Sequence, residues 1–234
     1  MNETTSVYAY LEKPSMVDYP AHLAAVFFTS GCNFGCGFCH NASLMGHRQA
    51  GLSWDQLETA GTGFRKAWVN GVVLTGGEPT CSDDLPALIR FFKGRFGFAV
   101  KLDTNGSNPD QLAECLPLVD YVAMDVKCGL SAYPEVVRFP DIQRIRQSID
   151  LIRGQAKDYE FRTTVIERIH TDEQMDEVRE AIEGAKRYVL QAFIPREELP
   201  DPAYRTLPRT TAARLHQLRD RMSGCAEELL LRGA

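Results

Sequence analysis

Three of the seven cysteines of this 234-residue chain lie in one short stretch, Gly31-Cys32-Asn33-Phe34-Gly35-Cys36-Gly37-Phe38-Cys39-His40-Asn41, at the spacing C-x3-C-x2-C. An apolar run from Leu23 to Phe28 precedes this stretch and is typical of a buried strand. The cysteines are therefore expected in the loop at the carboxyl end of that strand. Parallel α/β proteins build their functional sites at that end.

The close spacing of the three thiols favours metal ligation, because an odd number of cysteines cannot pair off as disulfides. A single zinc ion would need a fourth ligand, and His40 directly follows Cys39, a poor spacing for both to reach one tetrahedral ion. An iron–sulfur cluster with three cysteine ligands leaves one iron open for a small molecule. The spacing favours this open cluster, and the other four cysteines are too scattered to hold a second one.

Apolar strands and amphipathic helices alternate along most of the chain. Strands are predicted at residues 23–29, within 71–79, and at 98–102, 121–127, 159–166 and 188–194. Six β/α units imply a parallel sheet with right-handed crossovers. Because six units are too few for a closed eight-stranded barrel, the pattern allows either an open doubly wound sheet or an incomplete barrel.

The carboxyl-terminal stretch has a different composition. Beyond Pro195 the chain becomes polar and carries three prolines, and the spacing of Leu215, Leu218 and Met222 then predicts one helix. We interpret residues 1–195 as a barrel domain. Residues 196–234 are predicted to be a connector and a helix packed on the barrel, not a separate domain.

Charge and hydropathy narrow the possible partners and the location of the protein. The net charge is −5 and no Lys/Arg-rich block is present, so direct binding of nucleic acid has no support. No apolar run approaches the length of a membrane span, and the amino terminus does not have the pattern of a signal peptide. A cytoplasmic protein is expected, in a reducing compartment that keeps thiols available as ligands.

The cysteine spacing, with Phe38 before the third cysteine, resembles the signature of the radical S-adenosylmethionine (SAM) enzymes. Together with Val17-Asp18-Tyr19-Pro20, it is similar to the activating proteins of anaerobic ribonucleoside-triphosphate reductase, which are relatives of the pyruvate formate-lyase activating enzyme. This resemblance implies an incomplete (β/α)6 radical SAM barrel. The sequence departs from the pattern at Ala21, where a glycine is common, and at Gly35, where a basic residue is common.

The resemblance also implies a set of cofactors and ligands. One [4Fe-4S] cluster would be held by Cys32, Cys36 and Cys39, with SAM on its open iron. SAM would lie against Phe38, Gly76, Gly77, Glu78, Asp103, Thr104, Asp125 and Lys127. In this set the resemblance implies that Glu78 binds the amino group of SAM and that Lys127 binds its carboxylate. Asp103, Thr104 and Asp125 would hold a monovalent cation through their oxygen atoms.

The activity implied by the resemblance is that of an activase. SAM would be cleaved reductively to a 5′-deoxyadenosyl radical, which takes a hydrogen atom from a glycine of anaerobic ribonucleoside-triphosphate reductase. No side chain is required as a general acid or base, because the chemistry belongs to the cofactors. Flavodoxin or ferredoxin is the expected electron donor, and Asp18, His40 and Arg162 match positions at which the glycine-bearing loop docks.

Three other functions stay open from the sequence. The chain could be the activase of another glycyl radical enzyme, or a radical SAM enzyme that acts on a small molecule, similar to 7-carboxy-7-deazaguanine synthase. It could also be a zinc-stabilised binding module without enzymatic activity. Anaerobic iron and sulfide analysis separates the zinc module from the enzymes, and a neighbouring gene for a glycyl radical enzyme separates the activases from the small-molecule enzyme.

Overall fold

The computed structural model describes residues 4–46 and 49–233. Its strands form one eight-stranded sheet whose spatial order is the order of the chain. The strands are β1 (Val7–Tyr10), β2 (Ala24–Thr29), β3 (Gly71–Gly76), β4 (Ala99–Thr104), β5 (Tyr121–Asp125), β6 (Tyr159–Val165), β7 (Ala185–Ala192) and β8 (Ala226–Arg232). Strand β1 is antiparallel to β2, and β2 to β8 are parallel, so the carboxyl ends of seven strands meet at one end of the sheet.

Helices connect the parallel strands. They are α1 (Trp54–Lys66), α2 (Leu85–Phe96), α3 (Pro109–Cys115), α4 (Tyr133–Val136), α5 (Ile142–Gln155), α6 (Asp172–Ala181), α7 (Pro202–Arg205) and α8 (Ala212–Arg221). Short 3-10 turns occupy Ala42–Leu44, Pro79–Cys81 and Leu130–Ala132. Within the described part of the chain, no helix combines the length and apolarity that crossing a bilayer requires.

The predicted β/α alternation and the incomplete barrel are confirmed, with strands β2 to β7 as the six predicted units. Local chemistry agrees with this pattern at helix α1, where Ser53 and Gln56 form a reciprocal capping box. Helix α2 likewise ends at Gly97, which adopts a left-handed conformation at φ 67°.

The prediction for residues 196–234 missed a strand. After α8, residues 226–232 form β8, which pairs in parallel with β7. The sequence Ala226-Glu227-Glu228-Leu229-Leu230-Leu231-Arg232 is rich in residues that favour helices, so its own propensity does not predict a strand. Pairing with the exposed edge of β7 determines its conformation, and the carboxyl-terminal stretch therefore extends the barrel sheet.

The parallel strands have two faces of different chemistry. The outer face packs against the helices and is apolar, with Val72, Leu74, Val100, Leu102, Val122, Met124, Phe161 and Leu190 in the main core. The inner face begins at the amino ends of the strands with a small apolar cluster, Tyr19, Ala24, Val26, Val73, Tyr121 and Ala123. Farther along the same strands, the inner face carries the charged residues Lys101, Asp103, Asp125, Glu160 and Arg162.

Candidate active site

A cavity of about 210 Å³ lies at the carboxyl ends of the parallel strands, and we call it the mouth cavity. Its lining includes the three clustered cysteines, the Gly-Gly-Glu loop after β3, and charged residues from β4 to β6. Of the site residues predicted from sequence, it contains Cys32, Cys36, Phe38, Cys39, His40, Gly76, Gly77, Glu78, Asp103, Thr104, Asp125, Lys127 and Arg162. The structure therefore brings together all of the predicted residues except Asp18.

The cysteine loop leaves β2 and is held by main-chain hydrogen bonds. Gly31 N–H donates to Leu44 O at 2.9 Å, and Cys39 N–H donates to Cys36 O at 3.3 Å. Cys36 is buried, while Cys32 and Cys39 are half-buried and face the cavity. The strand end and these bonds thus hold the three thiols at one side of the cavity.

The three thiols of the cysteine loop line one cavity and are buried enough to affect their protonation. In the part of the chain that the structure describes, no three Cys, His, Asp or Glu side chains converge on one metal-ion position. Three thiols that line one cavity suit three irons of a cluster. Burial raises the pKa of Cys32 to about 11 and of Cys36 to about 12, so binding of metal must release protons from these thiols.

Two glycines in the loop allow other segments to cover it. A side chain at Gly35 would meet the Arg138 side chain, with its Cβ only 2.7 Å from Cδ of that arginine. The resemblance expects a basic residue at position 35, and here the aliphatic part of the Arg138 side chain, just after α4, lies against the loop at this position. A Cβ at Gly37 would lie 2.7 Å from the ring of Tyr204, which belongs to the connector after residue 195.

The connector contributes to the site in a way that sequence analysis did not predict. Asp201 N–H donates to Gly37 O at 3.1 Å, and the rings of Tyr204 and Phe38 lie 5.6 Å apart. Phe38 is buried but lines the cavity, so its predicted contact with SAM is compatible with this packing. The connector therefore covers the cysteine loop from outside.

The Gly-Gly-Glu loop needs its glycines for close packing. Gly76 has φ 124°, a conformation that side chains disfavour, and a Cβ there would lie 2.4 Å from the backbone of Thr29. A Cβ at Gly77 would lie 2.1 Å from Gly31 O. Gly77 N–H instead donates to Thr29 O at 2.9 Å, so the loop lies directly against the start of the cysteine loop.

The Glu78 carboxylate is buried and joins the loops after β3 and β4. It accepts hydrogen bonds from Thr80 Oγ1 and N–H at 2.5 and 3.0 Å, from Thr104 Oγ1 at 2.7 Å and from Asn105 N–H at 2.6 Å. Burial raises the pKa of Glu78, although these donors oppose the shift. Glu78 thus fixes the cavity wall, and its contact with the SAM amino group stays a prediction.

Lys127 lies beside the thiols and is partly open to the cavity. Its Nζ donates to Asp125 Oδ2 at 2.9 Å, and 22% of its side chain is exposed. Burial would lower the pKa of Lys127, but Asp125 and the nearby thiols raise it above its ordinary value. An ammonium that remains charged suits the carboxylate of SAM.

Arg162 is embedded in the inner face, and its predicted contact with a partner stays a prediction. Its Nε donates to Asp125 Oδ1 at 2.8 Å, its NH1 lies 3.5 Å from Asp103 Oδ2, and only 13% of its side chain is exposed. Burial alone would raise the pKa of both carboxyls, but their basic neighbours, Arg162 among them, hold these pKa values below the ordinary range. Arg162 therefore orients the two aspartates from below the cavity, although it still lines the cavity wall.

Asp18 lies at the opposite end of the barrel, which corrects its predicted place at the cavity. Ser15 pairs with Ala24, the first residue of β2, and Asp18 N–H donates to Ser15 Oγ at 3.2 Å. The exposed Asp18 therefore lies near the amino end of β2, whereas the cysteines follow its carboxyl end. A segment that precedes a strand cannot contribute to a site at the far end of that strand unless the loop folds back along it.

His40 is exposed at the rim of the cavity. Its Nε2 lies 3.0 Å from Ile194 O, and its ring stacks at 6.2 Å on Phe193. Burial lowers the pKa of His40, so the neutral ring donates from Nε2 and leaves Nδ1 as an acceptor. Among the predicted docking residues, His40 has the position that an incoming chain would reach.

Sequence analysis missed several polar residues of the wall, among them Asn105, Thr164 and Gln191. Asn105 Nδ2 lies 3.8 Å from Cys32 Sγ and 3.2 Å from Asn33 Oδ1. Gln191 Nε2 donates to Thr164 Oγ1 at 2.6 Å where β6 and β7 reach the cavity. Side chains alternate between the two faces of a strand. This alternation could have predicted Thr164 on β6 and Gln191 on β7 as inner-face residues.

The family model of the Radical SAM superfamily matches residues 26–187 of the chain. A Methanocaldococcus jannaschii protein provisionally named a glycyl-radical enzyme activating enzyme is 31% identical over 211 residues, which cover 87% of this chain and 86% of that protein. The 7-carboxy-7-deazaguanine synthase of Methanospirillum hungatei is 28% identical over 138 residues, covering 58% and 56% of the two chains.

The fold is similar to that of a solved structure with bound SAM. Streptococcus suis SuiB bound to S-adenosylmethionine aligns with a TM-score of 0.67 at 15% identity. The alignment covers 89% of this chain and 50% of SuiB, so this chain spans about half the length of that protein. At this identity the likeness concerns the fold alone.

Proposed function

The chain belongs to the radical SAM superfamily, and we propose that it activates a glycyl radical enzyme, with anaerobic ribonucleoside-triphosphate reductase as its substrate protein. Membership makes the chain an enzyme that acts by radical chemistry with a [4Fe-4S] cluster and SAM. When bound, the reduced cluster and SAM supply a carbon-centred radical at the adenosyl C5′. The protein's own residues bind, orient and shield these cofactors.

One observation supports the site assignment more than any other. The cysteine loop, the Gly-Gly-Glu loop and Lys127 come from different parts of the chain, yet all line one cavity. Cys32, Cys36 and Cys39 would hold three irons, and Lys127, which lies beside them, would bind the carboxylate of SAM. The activase role is supported by the 31% identical relative, which this chain matches over nearly its whole length.

The residues around the cavity also favour a macromolecular substrate. The cavity opens at the barrel end, where His40 is exposed beside the cysteine loop. An extended peptide carries both donors and acceptors, and Nδ1 of His40 would accept from a backbone N–H of such a peptide. A glycine, which has no side chain, would bring its Cα close to the cofactor most easily.

The proposal has a direct test on the two proteins together. The reconstituted enzyme, a chemical reductant, SAM and the anaerobic ribonucleotide reductase of the same organism are mixed without oxygen. We expect a glycyl radical signal in electron paramagnetic resonance of the reductase. No signal, despite cleavage of SAM to 5′-deoxyadenosine, would contradict the assignment of this partner.

His40→Ala tests the docking position. It should lower the yield of glycyl radical while SAM cleavage without the partner continues, because His40 is not a cluster ligand. The matched control is His216→Ala, which removes an exposed histidine on α8, outside the cavity lining. Equal radical yields from both variants would show that the glycine loop docks elsewhere.

A small-molecule radical SAM enzyme is the second candidate, because the deazaguanine synthase similarity covers more than half of this chain. An activase needs a protein substrate, and its natural electron donor would be flavodoxin or ferredoxin. Consumption of a purine-like small molecule in place of radical formation on the reductase would favour the second candidate.

A further inference from the structure

The family resemblance implies a monovalent cation beside Asp103, Thr104 and Asp125. The structure assigns that place to the Lys101 ammonium. We infer that this enzyme works without an alkali-metal ion at that position. The inference rests on the inner face of the barrel, and it holds whichever partner the enzyme serves.

The oxygen atoms of Asp103 are already in contact with cationic groups. Lys101 Nζ donates to Asp103 Oδ1 at 2.6 Å, and Arg162 NH1 lies 3.5 Å from Asp103 Oδ2. Lys101 is two residues before Asp103 on β4, so both side chains point to the same inner face. A cation bound to Asp103 would lie next to an ammonium that the strand itself holds in position.

The other two predicted ligands are occupied as well. Asp125 Oδ1 accepts from Arg162 Nε at 2.8 Å, and Asp125 Oδ2 accepts from Lys127 Nζ at 2.9 Å. Thr104 Oγ1 donates to Glu78 at 2.7 Å and accepts from Gly106 N–H at 3.0 Å. Each Asp125 oxygen thus already accepts from a cationic side chain, and the Thr104 hydroxyl is held between Glu78 and Gly106.

Lys101 is too deeply buried to make way for an ion. Its side chain is only 2% exposed, whereas Asp103 is 17% exposed. Its pKa is lowered by burial, and Asp103 opposes that shift. Because a buried ammonium cannot reach water without moving β4, the Lys101–Asp103 pair is part of the barrel interior and not a loose surface contact.

The charge balance opposes an additional cation. Lys101, Lys127 and Arg162 are paired with Asp103 and Asp125, and Arg162 also lies 4.0 Å from Glu160. Glu160 is paired in turn with Arg232 through contacts of 3.0 and 2.7 Å, so basic side chains already balance these carboxylates. An alkali-metal ion would add positive charge next to these cations, where few water molecules could screen the repulsion.

The test compares salts at equal ionic strength. Full-length wild-type protein is studied in potassium, sodium and choline chloride, since choline is too large to be coordinated by two carboxylates. We expect the same melting temperature and the same SAM affinity in all three salts. A higher melting temperature or tighter SAM binding in potassium or sodium than in choline would overturn the inference.

Lys101→Met makes the test sharper by removing the ammonium at similar side-chain length. Asp103 then lacks its nearest cation, and we expect potassium or sodium to raise the melting temperature of this variant by about 2 °C or more over choline. A folded variant without any ion-specific change would contradict the replacement of the ion by Lys101. If the variant does not fold, the wild-type comparison still decides.

The matched control is Lys93→Met. Lys93 Nζ forms an equally short pair with Asp120, with contacts of 2.7 and 2.8 Å, outside the mouth cavity. Its loss should lower the melting temperature equally in all three salts. An ion-specific rise in this control equal to that of Lys101→Met would show a general salt effect and overturn the site-specific claim.

Discussion

The two faces of the same parallel strands differ in what they do. On β5, Val122 and Met124 point outward into the apolar core, while Ala123 and Asp125 point inward. On β6, Phe161 packs outward and Arg162 lies between two aspartates. The outer face therefore supplies most of the burial that stabilises the fold, and the inner face supplies the charges that shape the mouth cavity.

The comparison predicts that substitutions at the two faces have separable effects. Changes at the outer face should lower the free energy of unfolding without changing the composition of the site. Changes at the mouth cavity should alter cofactor binding or chemistry in a protein that stays folded.

The largest effect is expected at the cysteine loop. Cys36→Ala removes one of three cluster ligands, so we expect loss of the cluster and no measurable 5′-deoxyadenosine from SAM. Iron and sulfide analysis measures the cluster content, and chromatography of the products measures 5′-deoxyadenosine. Cys225→Ala, which changes a buried cysteine just before β8 at the amino ends of the strands, is the control and should keep full iron content.

The outer face is tested by Phe161→Ala. Phe161 is fully buried among the helices, so its truncation should lower the free energy of unfolding by about 3–5 kcal/mol. Denaturant unfolding of the apoprotein measures this value, and Phe161→Leu should cost less. Loss of the cluster from Phe161→Ala protein that is still folded would contradict the separation of the two faces.

Lys127→Met tests the cavity wall. Loss of a charge-assisted hydrogen bond worth about 1.5–3 kcal/mol should weaken SAM binding by about 10- to 100-fold, with iron content unchanged. Calorimetric titration with SAM measures the change. Lys186→Met, which breaks a partly exposed 2.8 Å pair with Asp158, is the control and should leave SAM affinity as in the wild type.

The smallest effect concerns the loop before β2. Ala21 has φ 62°, the left-handed conformation that glycine adopts at least cost, at a position where the resemblance expects glycine. Ala21→Gly should therefore raise the free energy of unfolding by up to about 1 kcal/mol, without any effect on SAM cleavage. A lower stability would show that the alanine methyl group makes a compensating contact.

Much of the fold could be predicted from the sequence because strands β2 to β7 have strong apolar patterns and their connecting helices are amphipathic. Strand β8 could not, since residues such as Glu227 and Leu229 do not themselves favour a strand and its pairing with β7 is a tertiary effect. The cysteine loop was predictable because its ligands are close in sequence.

The placements of Asp18 and Arg162 show where the sequence was insufficient. Resemblance put Asp18 at the docking site, although a residue before a strand lies by default at its amino end. The resemblance also placed Arg162 where the glycine-bearing loop of the partner docks. In the structure, Arg162 lies between Asp103 and Asp125. Which carboxylates a buried guanidinium meets depends on neighbouring strands, and no local pattern records that.

The central claim is that three thiols at the mouth hold a cluster with one iron open to SAM. Electron paramagnetic resonance of the reduced, reconstituted wild-type protein, recorded before and after addition of SAM, tests it most directly. A change in the g-values of the cluster signal on addition of SAM is the predicted result. An identical spectrum under saturating SAM would mean that SAM does not reach the iron, and would contradict the account.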